Sequence, residues 1–351
     1  MVSNQQNNSN LNTKPFSNVQ QQVDLLQFER NLIVKDVAVA KKKLLETNYF
    51  DLINGFETLL LVDKDNKNLG YENKSFDDFL SLYTFDKELS KEILAVISLF
   101  ESKLKTSLAY HFCETFCCEP LDTLEYLSKN NYEDPSNAYG PRHPAYIDYH
   151  QDRFILFKTS YSYGRRHNLN YVEYMKNIKP YIGRYTKPPF WVVIKSFNMG
   201  DLLSMIRLMK RPVLKEVLKD FNLTLANTDL FINSLEIIKD LRNTCAHFEL
   251  INRFRSSGSY PINNDLITKL ELNTLSPNSY QGRRRNNQYR IRLFDALKVL
   301  ALFNDIKPIR KVVVRYYDRN VSIRKKYLIL PLLDRMGEPS IIEWKKLGDF
   351  S

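Results

Sequence analysis

The sequence predicts an all-α protein, and two observations carry that prediction. Apolar residues recur every three to four positions from about residue 75 to 112 and again from 235 to 254, which is the period of an amphipathic helix. In addition, 43% of the 351 residues are apolar and 13% are aromatic, so the chain can bury a substantial core. A helical bundle is therefore the expected architecture.

Composition divides the chain into three parts. Residues 1–13 are mainly Asn, Gln and Ser and should be disordered, because they contain almost nothing to bury. Residues 14–255 are expected to form the helical domain, with a loop-rich insertion of many tyrosines and little periodicity at 119–187. Residues 256–351 form a basic C-terminal region.

Within the helical domain, residues 19–61 should form helices, and the aromatic-rich stretch NYFDLINGF should lie in the core. Ser75 is a suitable N-cap for the next helix, because Asp77 and Asp78 would then occupy its first turn, where negative charge is favourable. Pro188-Pro189 should begin a later helix that Gly200 ends, with Trp191 packed inside.

Charge and cysteine content limit the classes of function. The net charge of +11 favours nucleic acid or another anionic partner. No apolar run approaches 18 residues and no signal peptide opens the chain, so a soluble, cytoplasmic protein without a membrane partner is expected. Cys113, Cys117 and Cys118 lack the paired C-x-x-C spacing of a zinc site, so neither a metal nor a cofactor is predicted.

The stretch LEIIKDLRNTCAHFELINRF, residues 235–254, contains the candidate chemistry. As one helix it would bury a stripe from Leu235 to Phe248, with Asn243 and His247 opposite the stripe and Arg242 at its edge. Arginine holds phosphate oxygens through a planar set of donors, and histidine transfers protons near neutral pH. The trio suits metal-independent RNA cleavage, in which the ribose 2′-hydroxyl attacks the neighbouring phosphate and a 2′,3′-cyclic phosphate remains.

The Arg–His pair could also have a purely structural role, for two reasons. Residues five apart on a straight helix are about 140° apart, so Arg242 and His247 share a face only if the arginine reaches around or the helix ends within the motif. An Arg and a His at this spacing also occur in many helices that serve only as structure.

Five segments in order resemble the bacterial abortive-infection Abi family of the AbiD/AbiF type, over roughly residues 14 to 255. They are NYFDLINGF, FDDFLSLYTFDKEL, FESKLKTSLAYHF, PPFWVVIKSFNMG and the motif Arg242-Asn243-Thr244-Cys245-Ala246-His247 followed by Asn252-Arg253. The last segment is similar to the R-x(4–6)-H signature of the HEPN superfamily of ribonucleases.

The resemblance implies a HEPN-like helical bundle and growth arrest of phage-infected bacteria by RNA cleavage. In HEPN ribonucleases two Arg–His motifs face each other, and since this chain has one, a homodimer with a composite catalytic site of Arg242, Asn243 and His247 is expected. By the same resemblance, Glu101 would orient Arg242 without contacting the RNA itself, and Lys105 would lie near the phosphate. The family usually has arginine at the position of Lys105.

The basic C-terminal region is the candidate RNA-binding surface. From residue 283 to 326 there are 14 basic and 3 acidic residues, and tyrosines lie among them. The residues expected to contact RNA are Arg283, Arg284, Arg285, Arg315, Arg324, Lys325 and Lys326. An alternative function follows from this surface: a non-catalytic RNA-binding module of a toxin–antitoxin or phage-defence system, which would bind a regulatory antitoxin RNA.

Overall fold

The structure is a computed structural model that describes residues 15–119, 121–274 and 289–349. The predicted disordered tail, residues 1–13, lies outside these ranges. The described chain is mostly α-helical, as predicted, and divides into two compact units, one up to Phe85 and one from Asp86 onward. In the described ranges no helix is both long enough and apolar enough to cross a membrane.

The first unit contains short helices and the beginning of a long one. The helices are α1 (Val19–Asp24), α2 (Val37–Glu46), α3 (Glu57–Leu60) and the first turns of α4 (Phe76–Phe116), with π-helical turns at Leu25–Glu29 and Phe50–Asn54 and a 3₁₀ turn at Lys67–Leu69. In the predicted core stretch NYFDLINGF, Leu52 and Phe56 are buried but Phe50 is exposed. Gly70 is required where it stands, because a Cβ atom there would lie 2.1 Å from the Arg30 carbonyl oxygen.

Helix α4 begins where the sequence predicts. It starts at Phe76, directly after Ser75, and Asp77 and Asp78 occupy its first turn. The Asp78 carboxylate accepts a hydrogen bond of 2.8 Å from the Ser75 backbone N–H, which supplies a partner for a helix-start donor. One face of α4 is buried along the predicted three-to-four period, at Ile93, Ile97, Phe100, Leu104 and Leu108.

The second unit is built around α11 (Thr228–Ala246). Besides the rest of α4, its other helices are α5 (Pro144–His150), α6 (Tyr171–Ile178), α7 (Pro180–Gly183), α8 (Phe190–Val193), α9 (Met199–Leu208), α10 (Arg211–Asp220), α12 (Asn264–Leu270), α13 (Leu293–Ala301), α14 (Lys307–Ser322), α15 (Lys326–Met336) and α16 (Ile341–Lys346). Short 3₁₀ turns lie at Glu125–Leu127, Lys129–Asn131, Pro135–Asn137, Ile194–Ser196, Leu225–Asn227 and Ile251–Arg253. Helices α9 and α13 both pack on α11.

Three local predictions in this unit are wrong. The insertion contains, besides short helices, a two-stranded antiparallel sheet of β1 (Tyr161–Tyr163) and β2 (Arg166–Leu169), with Gly164 at φ +57° in the turn. Gly200 does not end a helix, because it lies in the first turn of α9, which Asn198 caps by accepting from the Gly200 and Asp201 backbone N–H groups. Trp191, which the sequence places inside, is 58% exposed.

The C-terminal helices belong to the same compact unit as α11. Ile291, Leu293 and Leu297 are fully buried, and α13 packs directly on α11. The two compact units divide at Phe85 and Asp86, and the domain bounds expected from the sequence stay a prediction. The basic residues of the C-terminal region alternate with apolar ones, which gives its helices a face to bury.

Candidate functional site

Helix α11 buries the face that its sequence predicts. Leu235, Ile238 and Leu241 are fully buried and Cys245 is 4% exposed. Burial of this stripe holds the helix on its neighbours, and it leaves the opposite face of the last turns, with Asn243 and His247, toward solvent.

The helix ends inside the motif, which the sequence allowed but did not predict. Helix α11 stops at Ala246, and His247 is its C-cap with φ −89° and ψ 8°. The next residue, Phe248, has a left-handed backbone (φ +58°) and a side chain that is 77% exposed, so its expected place in the buried stripe is wrong. The Glu249 N–H donates to the Thr244 carbonyl at 3.1 Å, a bond that closes the helix end.

The three motif side chains are accessible to a ligand. Arg242 and Asn243 are half-buried, and His247 is exposed. Within the part of the chain that the structure describes, no hydrogen bond or ion pair engages these three side chains, although the His247 backbone N–H donates to the Asn243 carbonyl at 2.9 Å. A guanidinium, an amide and an imidazole are therefore carried by six consecutive residues at the end of one helix.

Contacts from the start of the second unit hold the segment that follows His247. The Lys87 ammonium donates to the Phe248 carbonyl at 2.7 Å and to the Glu249 carbonyl at 3.2 Å. Both bonds lie just beyond the helix end, where unpaired carbonyls accumulate and a cation is favourable. Lys87 thus stabilises the turn that exposes His247.

A buried carboxylate completes this attachment. Asp86 is fully buried and accepts from the Ile251 N–H at 3.1 Å, the Asn252 N–H at 2.8 Å and the Asn252 side-chain amide at 2.6 Å. Burial raises the pKa of the Asp86 carboxyl, and the Asn252 and Ile251 donors oppose that rise. Arg335 extends the network by donating to Asn252 Oδ1 at 3.2 Å.

Sequence reasoning missed Asp86 and Lys87 as supports of the site. Both lie in the segment FDKEL, and Asn252 follows the Arg–His motif, so each is part of a segment that resembles the Abi family. The two segments can each be recognised in the sequence. Only the fold shows that the Asp86 carboxylate accepts hydrogen bonds from Asn252, 166 residues away.

Glu101 and Lys105 bind each other, and not Arg242. Lys105 Nζ lies 2.7 Å from Glu101 Oε1 and 3.4 Å from the Lys195 carbonyl. Among the described residues, no hydrogen bond or ion pair joins Glu101 to Arg242. The expected orienting contact is therefore absent between these described residues of one chain, and a role of this pair in orienting Arg242 or approaching the phosphate stays a prediction.

The packing of α4 on α11 explains this separation. The Cys245 thiol lies beside the Ser90 side chain, whereas the Phe100 ring contacts Phe221, whose ring also contacts Phe231. The two helices therefore run in opposite directions. At about 1.5 Å per residue, Glu101 lies about 16 Å along α4 from Ser90. Arg242 lies only about 4 Å in the same direction from Cys245, so Glu101 is well beyond it.

The basic C-terminal residues differ in exposure and in the partners that they bind. The Arg315 guanidinium pairs with the Glu88 carboxylate, and Arg315 lines a cleft of about 580 Å³ together with Arg310, Lys311 and Lys345. Arg324 and Lys326 are exposed, and Lys325 is half-buried between them. Arg283, Arg284 and Arg285 lie outside the described residues. A basic surface is thus present on α14 and just after it.

Comparison with known proteins assigns the chain to a family. The family model described as Abi-like protein matches residues 42–251, more than half of the chain, and this range includes the Arg242–His247 motif, Asp86 and Lys87. No curated protein and no solved structure matches the chain. The chain belongs to the Abi-like protein family.

Proposed function

We propose that this protein is a metal-independent endoribonuclease that acts in abortive infection. The family to which the chain belongs suggests abortive infection and defence against phage. The observation that carries the catalytic part is the exposure of His247, with Arg242 and Asn243 beside it, at an end of α11 where no described residue engages their side chains.

The three residues take complementary roles in this proposal. His247 removes the proton from the ribose 2′-hydroxyl, whose oxygen forms a bond to phosphorus while the bond to the 5′ oxygen breaks. Arg242 binds the phosphate oxygens and stabilises the additional negative charge of the transition state. Asn243 positions the ribose or the phosphate by hydrogen bonds. The products are a 2′,3′-cyclic phosphate and a 5′-hydroxyl, and no water is consumed.

A second copy of the chain supplies the second proton-transfer group. The leaving 5′ oxygen needs an acid while the 2′ oxygen needs a base, and one chain offers one Arg–His motif. In a homodimer whose two-fold axis brings the exposed ends of α11 together, one His247 acts as base and the other as acid. The turn held by Lys87 and Asp86 presents each His247 in a defined position.

Cleavage in the presence of a chelator tests the chemistry directly. Purified full-length protein is incubated with labelled RNA with and without excess EDTA, and the ends of the products are mapped. We expect unchanged rates in EDTA and 2′,3′-cyclic phosphate ends, because the 2′-hydroxyl is the nucleophile and Arg242 supplies the positive charge. The rate should rise more steeply than linearly with protein concentration when the chains are dilute, as a composite site requires.

Two results would contradict the proposal. Loss of cleavage in EDTA that added Mg²⁺ restores would indicate a metal-dependent reaction. Products with 5′-phosphate and 3′-hydroxyl ends would exclude the 2′-hydroxyl as nucleophile.

A second candidate function is RNA binding without cleavage, and the basic cleft on α14 favours it. Arg310, Lys311, Arg315 and Lys345 place four cations around one opening, and Asp318 is the acidic residue among the lining groups. Arg310 pairs with Asp349 and Arg315 with Glu88, whereas Lys311 and Lys345 supply further positive charge. Such a surface suits phosphate contacts to a regulatory RNA, whose binding would restrain the toxin.

Salt dependence measures the contribution of the basic surface. The double substitution Arg324→Gln and Lys326→Gln removes two exposed cations, so RNA affinity should fall. For single-stranded RNA, the slope of log affinity against log salt should decrease by about 0.7 for each phosphate that these cations neutralise in the wild type. The matched control is Lys42→Gln with Lys64→Gln, two exposed lysines of the first unit. Equal slopes for both double variants would show that residues 324 and 326 do not contact RNA.

A further inference from the structure

A cavity of about 710 Å³ lies in the second unit between α4 and α8, and the proposed function does not use it. Its volume is within the range of about 300–1,000 Å³ that small-molecule sites have. Two of the segments that resemble the Abi family line it, with Lys105 and Tyr110 from α4 and Trp191 and Lys195 from α8 and the turn after it.

Two large aromatic rings are exposed at this cavity. Trp191 is 58% exposed although its neighbour Phe190 is fully buried, and Tyr110 is 62% exposed. Burial of Phe190 and of Val193 on the opposite face fixes α8 so that the indole faces outward. An exposed indole and an exposed phenol that line one cavity offer flat apolar surface to a ligand with a ring of its own.

The charged groups of the cavity are separated by sign. Lys195 is exposed, and Lys105 is held in place because its ammonium donates to Glu101 Oε1 at 2.7 Å. Glu114 lines the cavity nine residues further along α4, which is about 13 Å along the helix axis. Among the side chains that line the cavity, ammonium groups therefore lie at one end and the Glu114 carboxylate, which is 3.2 Å from His111 Nδ1, lies at the other, with aromatic rings between them.

We propose that this cavity binds a guanine nucleotide. The base stacks on Trp191, and the phosphate lies at Lys195 with Lys105 behind it. Proteins that bind single-stranded nucleic acid use the same two interactions, stacking of bases on aromatic rings and pairing of phosphates with cations. A carboxylate only accepts hydrogen bonds, so the Glu114 end selects a base edge with N–H donors. Guanine presents two adjacent donors there, its ring N1–H and its 2-amino group, whereas uracil presents one.

This site is separate from the Arg242–His247 site. The Cys245 thiol, close to the Arg242–His247 site, lies beside Ser90 of α4. The cavity begins at Ser102, about 18 Å further along that helix. Nucleotide binding at Trp191 does not depend on whether the chain cleaves RNA. The nucleotide is either free in solution or part of an RNA strand.

Tryptophan fluorescence of the full-length protein can detect this binding. The chain has two tryptophans, and Trp344 is fully buried with its indole N–H bonded to the Glu338 carbonyl at 2.8 Å. Selective excitation during titration with guanosine 5′-monophosphate should give saturable quenching of Trp191. Uridine 5′-monophosphate should bind more weakly. Trp191→Phe should remove the quenching and leave the Trp344 signal.

Calorimetry with variants tests the contacts separately. Trp191→Ala should weaken guanosine 5′-monophosphate binding by roughly 5- to 150-fold, the effect of losing one base–aromatic stack. Lys195→Gln should also weaken it, whereas Lys64→Gln, an exposed lysine of the first unit, is the matched control and should bind as the wild type does. His247→Ala should keep the quenching, which separates this proposal from that of RNA cleavage.

A short guanine-containing RNA strand in the same titration identifies the source of the nucleotide. Quenching by the strand alone supports the proposal and assigns the site to RNA, and quenching by the mononucleotide as well shows that a free nucleotide suffices. Absence of saturable quenching by either ligand overturns the proposal, as does unchanged affinity in Trp191→Ala.

Discussion

Replacing His247 with alanine is expected to lower the rate of RNA cleavage by at least about 100-fold, because proton transfer by a positioned side chain contributes about 10²–10⁴-fold. In a homodimer the substitution removes the base and the acid together. Growth arrest on induction should disappear with the activity. The measurements are the single-turnover cleavage rate of the purified variant and the growth of cells that express it.

Stability and RNA affinity separate a catalytic effect from a structural one. His247 is exposed and no described residue engages its side chain, so the free energy of unfolding should change by no more than about 0.5 kcal/mol. RNA affinity should be retained. The matched control is His167→Ala, which removes an exposed histidine of β2 that is bonded only to Ser162 among the described residues, and it should leave cleavage and toxicity unchanged.

The toxicity result also decides between the two candidate functions. Loss of growth arrest with retained RNA binding supports the ribonuclease and removes the non-catalytic module. Equal toxicity of the wild type and His247→Ala, at equal protein levels, would remove the ribonuclease.

Replacing Asp86 with alanine is expected to lower the free energy of unfolding by about 3 kcal/mol or more. The substitution leaves the Ile251 and Asn252 N–H groups buried without an acceptor, and each such group costs about 1–3 kcal/mol. Because burial raises the pKa of the Asp86 carboxyl, part of the gain from these bonds already offsets the cost of burying its charge. The measurement is urea denaturation of the full-length protein.

A surface carboxylate on the same helix provides the comparison. Asp77→Ala removes an exposed partner of Lys35, 3.6 Å away, and should cost less than about 1 kcal/mol. Asp86→Ala should also reduce cleavage, because the turn after α11 loses its attachment. If the free energy of unfolding falls by the same small amount in both variants, Asp86 does not hold this turn.

The period of the apolar residues predicted the helices that bury one face against the rest of the protein. Helix α4 and the buried stripe of α11 follow it because each needs only a correctly spaced set of apolar residues to pack on neighbours. The Arg242–His247 motif was also visible, since it lies within six consecutive positions. These features depend on residues that are close together in the chain.

The end of α11 could not be predicted in the same way. Phe248 has the spacing of a buried residue, yet it is exposed in a left-handed conformation. The bond from Lys87 to its carbonyl joins residues 161 apart, and no local pattern reports such a contact. The same reason applies to Glu101, which binds Lys105 and not Arg242, and to Trp191, which lines an open cavity and not the core.

By itself, the sequence determined the helical class, the buried face of α11, the composition of the Arg–Asn–His motif and the excess of positive charge, because these follow from residue type and spacing. Tertiary structure alone decided where α11 ends, that Asp86 and Lys87 secure the turn beyond His247, and that two exposed aromatic rings share a cavity with lysines. These features arise when packing brings together groups that are far apart along the chain, and their energies depend on burial and hydrogen bonding in the folded state.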